Sequence, residues 1–353
     1  MVTESENEKF RMKLDNHMKA TIDNWQAYFY KIFSERNKDF TEGHQFMWLK
    51  VIEKATIVGE AIRKNNFNEA SRSIARVFCW LCGFCSENKD ILGTDKLSDI
   101  IWYKYPRVCS TCAVKINKEL IKEITSKNGL KCTCDRTADE RVNKKVDNEI
   151  LEGYRELEKP KALDEWVMMF EAIFGHRLHI QSLDSICFHF LEEVGEVTTA
   201  LRNYRENEMN IDRGNVDRAL LERIMGRLRG DDPEYVILKL EKDDRIFFDA
   251  CQNLMANSIK EEVADVFSWL SALVIKLLGN RRCYTEYEDR FFSTLFPTES
   301  QDKFQPFYIR TRKPLNLSSI VCLEYCNGCP VCENKKMGND RCTCETRMAP
   351  TII

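Results

Sequence analysis

The sequence predicts an all-α fold made of two related halves, and three observations carry that reading. Apolar residues recur at the 3.6-residue helical period over long windows. No βαβ rhythm, Gly-rich phosphate loop or Gly-x-Gly-x-x-Gly occurs, which disfavours Rossmann and P-loop modes of nucleotide binding. Four pieces of sequence return in the same order in the second half, which points to a tandem duplication.

In chain order, residues 1–20 are charged, and the first firm element is the helix marked by Trp25, Phe29, Ile32 and Phe33, whose spacing returns at Trp166, Phe170, Ile173 and Phe174. Val51–Lys64 (VIEKATIVGEAIRK) then aligns without gaps to Phe190–Asn203 (FLEEVGEVTTALRN), and Ile74–Leu81 (IARVFCWL) to Val263–Leu270 (VADVFSWL). Cys79, Cys82 and Cys85 lie along one helix face and read as small buried hydrophobes rather than a cluster site.

The fourth repeated piece is Tyr105-x3-Cys109-x2-Cys112 with Cys132-x-Cys134, matched by Tyr325-x3-Cys329-x2-Cys332 with Cys342-x-Cys344. Each set offers four thiolates on short knuckles, the pattern of a closed structural Zn²⁺ site, with Fe–S ligation or redox chemistry as the alternatives. Cys326 aligns with Pro106 and is left out of the set.

These repeats divide the chain into a first half at 1–135, a charged linker or connecting helix at 136–160 closed by Pro160, and a second half at 161–353. The second half carries an insertion at 204–258, either a helical lid over a substrate or a surface elaboration.

The chain is organised around Ser185–Arg202 and Ile259–Leu277. In the first, Cys187, Phe190, Leu191, Val194, Val197 and Leu201 make a core stripe, with His189, Glu193, Glu196 and Ala200 on the neighbouring face. In the second, Ile259, Val263, Val266, Phe267, Leu270 and Val274 make the stripe, with Glu262, Asp265 and Trp269 beside it. A single Glu-x-x-Glu reads most simply as a solvated face, but two acid pairs in helices this apolar do not. Carboxylates gathered at the edge of a core repel one another and lose hydration, so they need protons or cations. Oxygen-only ligands favour Mg²⁺ or Mn²⁺, and Mg²⁺ shares its shell with water and substrate phosphates.

Glu192-Glu193-x-x-Glu196 followed by Glu261-Glu262-x-x-Asp265 resembles the EExxE…ExxD signature of the all-α nucleoside triphosphate pyrophosphohydrolases, the MazG-like group that also includes dimeric dUTPases. The resemblance is strongest over Trp166–Phe296, and the gap from Glu196 to Glu261 exceeds the short loop usual in that family. With the internal repeat, it implies two MazG-like helical-bundle halves forming an intrachain pseudo-dimer, to each of which the repeated cysteines add a small four-cysteine zinc knuckle. It also implies Mg²⁺- or Mn²⁺-dependent cleavage of a (deoxy)nucleoside triphosphate to the monophosphate and pyrophosphate. Glu193, Glu196, Glu262 and Asp265 would then bind the metal, and Glu192 or Glu261 would orient or deprotonate the attacking water. Arg202, Lys276 and Arg76 are the candidate substrate-binding cations. The alternative is a non-enzymatic zinc-binding helical adaptor.

Along the alignment, Glu193 falls on Lys54 and Glu196 on Ile57, while Glu261, Glu262 and Asp265 fall on Arg72, Ser73 and Arg76. The first half should therefore be catalytically silent. Its two arginines leave three readings open: binding triphosphate, pairing with acids across an interface, or drift on a solvated surface.

Composition bounds the partners. A net charge of −3 gives no general attraction to nucleic acid, and no apolar run approaches membrane-spanning length. Sixteen cysteines without a signal-peptide pattern point to reduced thiols and a cytoplasmic setting. A nucleoside triphosphate substrate and a homo-oligomer, a dimer of pseudo-dimers, complete the expectation.

Overall fold

The computed structural model describes residues 19–38, 44–134, 148–212, 244–279 and 316–325. The fold is all-α: the described residues form helices and no strand. The helices of the first half are α1 (Ile22–Lys38), α2 (His44–Arg63), α3 (Phe67–Glu87), α4 (Lys89–Leu92), α5 (Leu97–Lys104) and α6 (Lys118–Lys127). Helix α7 (Asn148–Arg155) lies within the charged connection, so part of that stretch is a packed helix. The second half contributes α8 (Leu163–Leu178), α9 (Leu183–Asp212), α10 (Asp244–Leu278) and α11 (Leu317–Tyr325). The knuckle cysteines Cys329, Cys332, Cys342 and Cys344, and most of the insertion at 204–258, lie outside the described residues.

Local chemistry sets the helix starts. Helix α1 opens on a reciprocal cap in which the Asn24 N–H donates to Thr21 Oγ1 at 2.9 Å and the Thr21 N–H to Asn24 Oδ1 at 3.1 Å. Helix α11 repeats the device with Asn316 and Ser319. Asn66 and Asn117 cap α3 and α6 by accepting from the N–H groups of Glu69 and Leu120. Gly93, at φ 65°, closes α4 in the left-handed conformation that costs glycine least.

The apolar stripes bury as the period requires. Trp25, Phe29, Trp166, Phe170, Phe190 and Phe267 are all fully inside, and one continuous core spans both halves. Cys79, Cys82 and Cys85 are buried in it, and burial lifts the Cys82 and Cys85 thiols above their ordinary range, so they behave as inert hydrophobes. Long helices pair as α2 with α3 and α9 with α10, and α2 packs against α9 between the pairs. Trp48 on α2 anchors that seam by donating its indole N–H to Val194 O and Thr198 Oγ1.

Equivalent contacts recur in both halves with their partners exchanged. Helix α5 of the first half packs on α10, while α11 of the second half packs on α3. Tyr105 therefore meets Phe170 and Phe174 at 5.4 and 5.9 Å between ring centres, and Tyr325 meets Phe29 and Phe33 at 4.9 and 6.2 Å. Phe78 and Phe267, which the internal alignment equates, touch each other at 6.1 Å. They complete a chain of aromatic rings from one half to the other, each pair in the edge-on or tilted geometry that aromatic quadrupoles favour.

Candidate metal centres

Two groups of side chains in the described residues have the arrangement to hold a metal ion. The first is Glu193 on α9 with Glu262 and Asp265 on α10, whose nearest oxygens all lie within 4.8 Å of one another. Acids three residues apart on α10 share a face, and the pairing of α9 with α10 turns that face toward Glu193. Glu196, one turn on from Glu193, hydrogen-bonds to Glu262. Three of the four acids expected to bind metal thus converge, and the fourth, Glu196, is exposed and joins them only through Glu262.

Charge crowding has the expected electrostatic effect. Burial, reinforced by Asp265, Glu196 and Glu262, pushes the Glu193 carboxyl up to about 8. Burial likewise raises Glu262 to about 7, with Asp265 and Glu196 adding to it against the opposing pull of Lys104. Without a cation, then, part of the cluster holds protons near neutral pH. That is the condition in which a divalent ion can replace protons and relieve repulsion.

The candidates for handling water stand apart from this group. Glu192 is exposed and paired with His189 Nδ1 at 3.1 Å. Glu261 contributes its backbone carbonyl, which accepts from Lys104 Nζ at 3.3 Å. Each precedes a cluster acid by one residue and so points roughly 100° away around its helix.

The three substrate-cation candidates each have another partner. Arg202 lies 3.8 Å from Glu206 on the helix surface. Lys276 Nζ donates to the carbonyls of Leu178 and His179, capping the end of α8. Arg76 places Nε and Nη2 each 2.8 Å from Glu324 Oε1, across the contact between α3 and α11, and Arg72 approaches the same carboxylate at 3.6 Å. Of the three readings of these arginines, the interface arrangement is the one the fold contains.

Sequence reasoning missed Lys104 and Tyr105, which hold the cluster from the other half, and placed Trp269 beside the acids without a role. Tyr105 donates to Asp265 Oδ1 at 2.5 Å, and Lys104 Nζ donates to Asp265 Oδ2 at 2.5 Å; both come from the end of α5 in the other half. The Trp269 indole N–H donates to Glu193 Oε1 at 3.1 Å, and the Trp269 ring stacks on His189. Tyr105 carried a signal, since it opens the repeated cysteine piece. Nothing in the repeat showed that it crosses to α10.

The second group is Cys109, Cys112, Cys132 and Cys134. Its sulfurs stand 3.8 Å apart for Cys109 and Cys134 and 3.7 Å for Cys112 and Cys132. A tetrahedral ion with bonds of about 2.3 Å to sulfur has an edge of about 3.8 Å, so the four thiols are spaced for zinc. Hydrogen bonding among Cys109, Cys112 and Cys132 couples their protons and pulls the Cys112 thiol well below its ordinary range. The knuckle sits on α8 of the other half: the Cys132 N–H donates to Ile173 O at 2.9 Å, and Arg177 donates to Cys134 O. Gly129 allows this approach, because a Cβ there would stand 3.1 Å from Ile173 Cγ1 and 3.3 Å from the carbonyls of Arg107 and Met169.

No family model, curated protein or solved structure matches the chain. The functional reading therefore rests on the residues and their geometry. No described helix is long and apolar enough to cross a membrane.

Proposed function

We propose that the protein is a divalent-metal-dependent nucleoside triphosphate pyrophosphohydrolase built as an intrachain pseudo-dimer, with chemistry in the second half only. The observation that carries this reading is the convergence of Glu193, Glu262 and Asp265 from two core helices, with Glu196 bonded to Glu262. The motif that resembles the MazG-like signature is the one whose acids converge. The first half offers Lys54, Ile57, Ser73 and Arg76 at the matching positions. Those side chains supply no cation site.

The residues present fit a hard divalent ion: three converging carboxylates with Glu196 beside them, no sulfur or imidazole among them, and a proton load that a metal can displace. Mg²⁺ held there supplies positive charge against phosphate oxygens and acidifies water in its shell. The chain's own contributions are distinct. Trp269 fixes Glu193 by a hydrogen bond, and Tyr105 fixes Asp265. Glu192 and Glu261, each next in sequence to a cluster acid, are the candidates to take a proton from water as it adds to the α-phosphorus, and either must turn toward the cluster to do so. The bond from that phosphorus to the bridging oxygen then breaks, releasing the monophosphate and pyrophosphate. The zinc-binding adaptor draws on the Cys109 group alone and leaves the half-buried acids without a purpose.

The test is Mg²⁺-dependent pyrophosphate release from the common ribo- and deoxyribonucleoside triphosphates and dUTP. Activity on at least one, lost in Glu262→Gln and Asp265→Asn with the fold intact by circular dichroism, is the expected result. Release from none of them, or full activity in both variants, removes the reading.

A further inference from the structure

Lys104 occupies a place that the metal reading does not explain. Its ammonium lies 2.5 Å from Asp265 Oδ2 and 3.3 Å from Glu261 O, its side chain is 15% exposed, and it belongs to the half without ligands. Tyr105 takes the other oxygen of Asp265, so both oxygens of this acid already have donors from α5.

The internal repeat supplies a control within the same molecule. Aligning the cysteine pieces sets Lys104 on Glu324 and Tyr105 on Tyr325, and aligning α3 with α10 sets Arg76 on Asp265. The structure pairs Arg76 with Glu324 and Asp265 with Lys104: one contact, made twice, with its polarity reversed. The charge around the two is different. Arg72 and Arg76 face Glu324 and Glu69, which balances. Among the described residues, Lys104 is one cation against Asp265, Glu261, Glu262 and Glu193.

A divalent ion bound at Asp265 and an ammonium in hydrogen-bond contact with the same carboxylate repel each other at close range in a partly buried site. A metal entering there would drive the lysine off. Its stem would remain fixed to the end of α5, so the released ammonium would stay at the rim, where the proposed reaction would bring the triphosphate. Resting on the proposed metal site, we propose that Lys104 is a tethered, exchangeable cation: it holds Asp265 while no metal is bound and passes to substrate phosphate oxygens when a divalent ion takes its place. The Arg76–Glu324 contact is the permanent form of the same link, with no metal to displace it.

The experiment titrates Mn²⁺ alone into the full-length wild type, Lys104→Met and Lys104→Gln, following free Mn²⁺ by electron paramagnetic resonance without nucleotide. Removing the competing ammonium tightens Mn²⁺ binding by about tenfold, the equivalent of one lost charge-assisted hydrogen bond. The metal-free variants melt at a lower temperature than the wild type, and the difference shrinks at saturating Mn²⁺. In turnover, KM for the nucleotide rises by about tenfold while kcat falls less. A lysine that only ties α5 to α10 would not tighten metal binding, so Mn²⁺ affinity unchanged or weakened in both variants overturns the inference. Glu262→Gln run alongside tests the metal site itself: wild-type binding insensitive to that change removes the metal reading and this inference together.

Discussion

Arg76→Ala should cost stability before it costs anything else. Arg76 donates twice to Glu324 Oε1 at 2.8 Å, and the Glu324 side chain is 3% exposed while that of Arg76 is 24% exposed. Breaking a buried pair by removing one partner costs roughly 3–5 kcal/mol, because a charge is left without its counter-ion. Arg72 remains 3.6 Å from the same carboxylate and is 46% exposed, so it recovers part of that loss. The expected cost is therefore about 2–4 kcal/mol. Arg76→Met with Glu324→Met leaves no orphan charge and should cost about 1 kcal/mol or less, since apolar replacement of a whole buried pair is often neutral. Urea unfolding followed by circular dichroism, with the slope compared across variants, measures both. A loss below about 1 kcal/mol in the single variant, or a double variant as unstable as the single, would refute the pairing argument. A raised KM with unchanged stability would instead return Arg76 to substrate binding.

Three further outcomes follow from the same geometry. Glu193 at about 8 and Glu262 at about 7 lie above the ordinary 4.5, so the folded metal-free protein holds protons that the unfolded chain has released. Its stability from these groups is full below about pH 4.5 and is lost as pH rises through 7 to 8, whereas Mg²⁺ affinity rises over that range as protons are displaced. Melting curves across pH with and without Mg²⁺ check this, and a pH-independent Mg²⁺ affinity would contradict it. Elemental analysis should find zinc, one ion per four-cysteine set, and Cys112→Ser should lose the ion of its set and lower the melting temperature; absent zinc, or iron with visible absorbance, would overturn the assignment. Gly129→Ala forces a methyl against two carbonyls and Ile173, with an expected cost of about 1–3 kcal/mol in unfolding experiments, and a variant as stable as the wild type would show that the knuckle is not seated on α8.

Much of the site was legible in the sequence. Acids at i and i+3 beside an apolar stripe have one placement that buries the stripe, at a core edge, and two such helices can pair. The grouping of Glu193, Glu262 and Asp265 followed from that, with Glu196 left at its edge, as did the burial of Trp25, Trp166 and Phe267 and the grouping of the first four knuckle cysteines. Substrate cations were less legible, since Lys276 and Arg202 share an element with the acids but find nearer partners in the α8 carbonyls and Glu206.

Periodicity and the internal repeat were enough to place the long helices of the repeated pieces and their buried faces, to equate Phe78 with Phe267 and Tyr105 with Tyr325, and to reveal the inversion of charge between Arg76 and Asp265. Which half each repeated piece serves was settled by packing alone. A repeat shows that α5 and α11 do the same thing. It leaves open whether each packs on its own half or the other, because similar apolar stripes stand in both stretches of sequence. Packing α5 on α10 and α11 on α3 brings Lys104 and Tyr105 to Asp265, and Arg76 to Glu324. Opposite charges complete each exchanged contact, whereas uncrossed packing would set Lys104 beside Arg76 and Glu324 beside Asp265, like charges in partly buried ground.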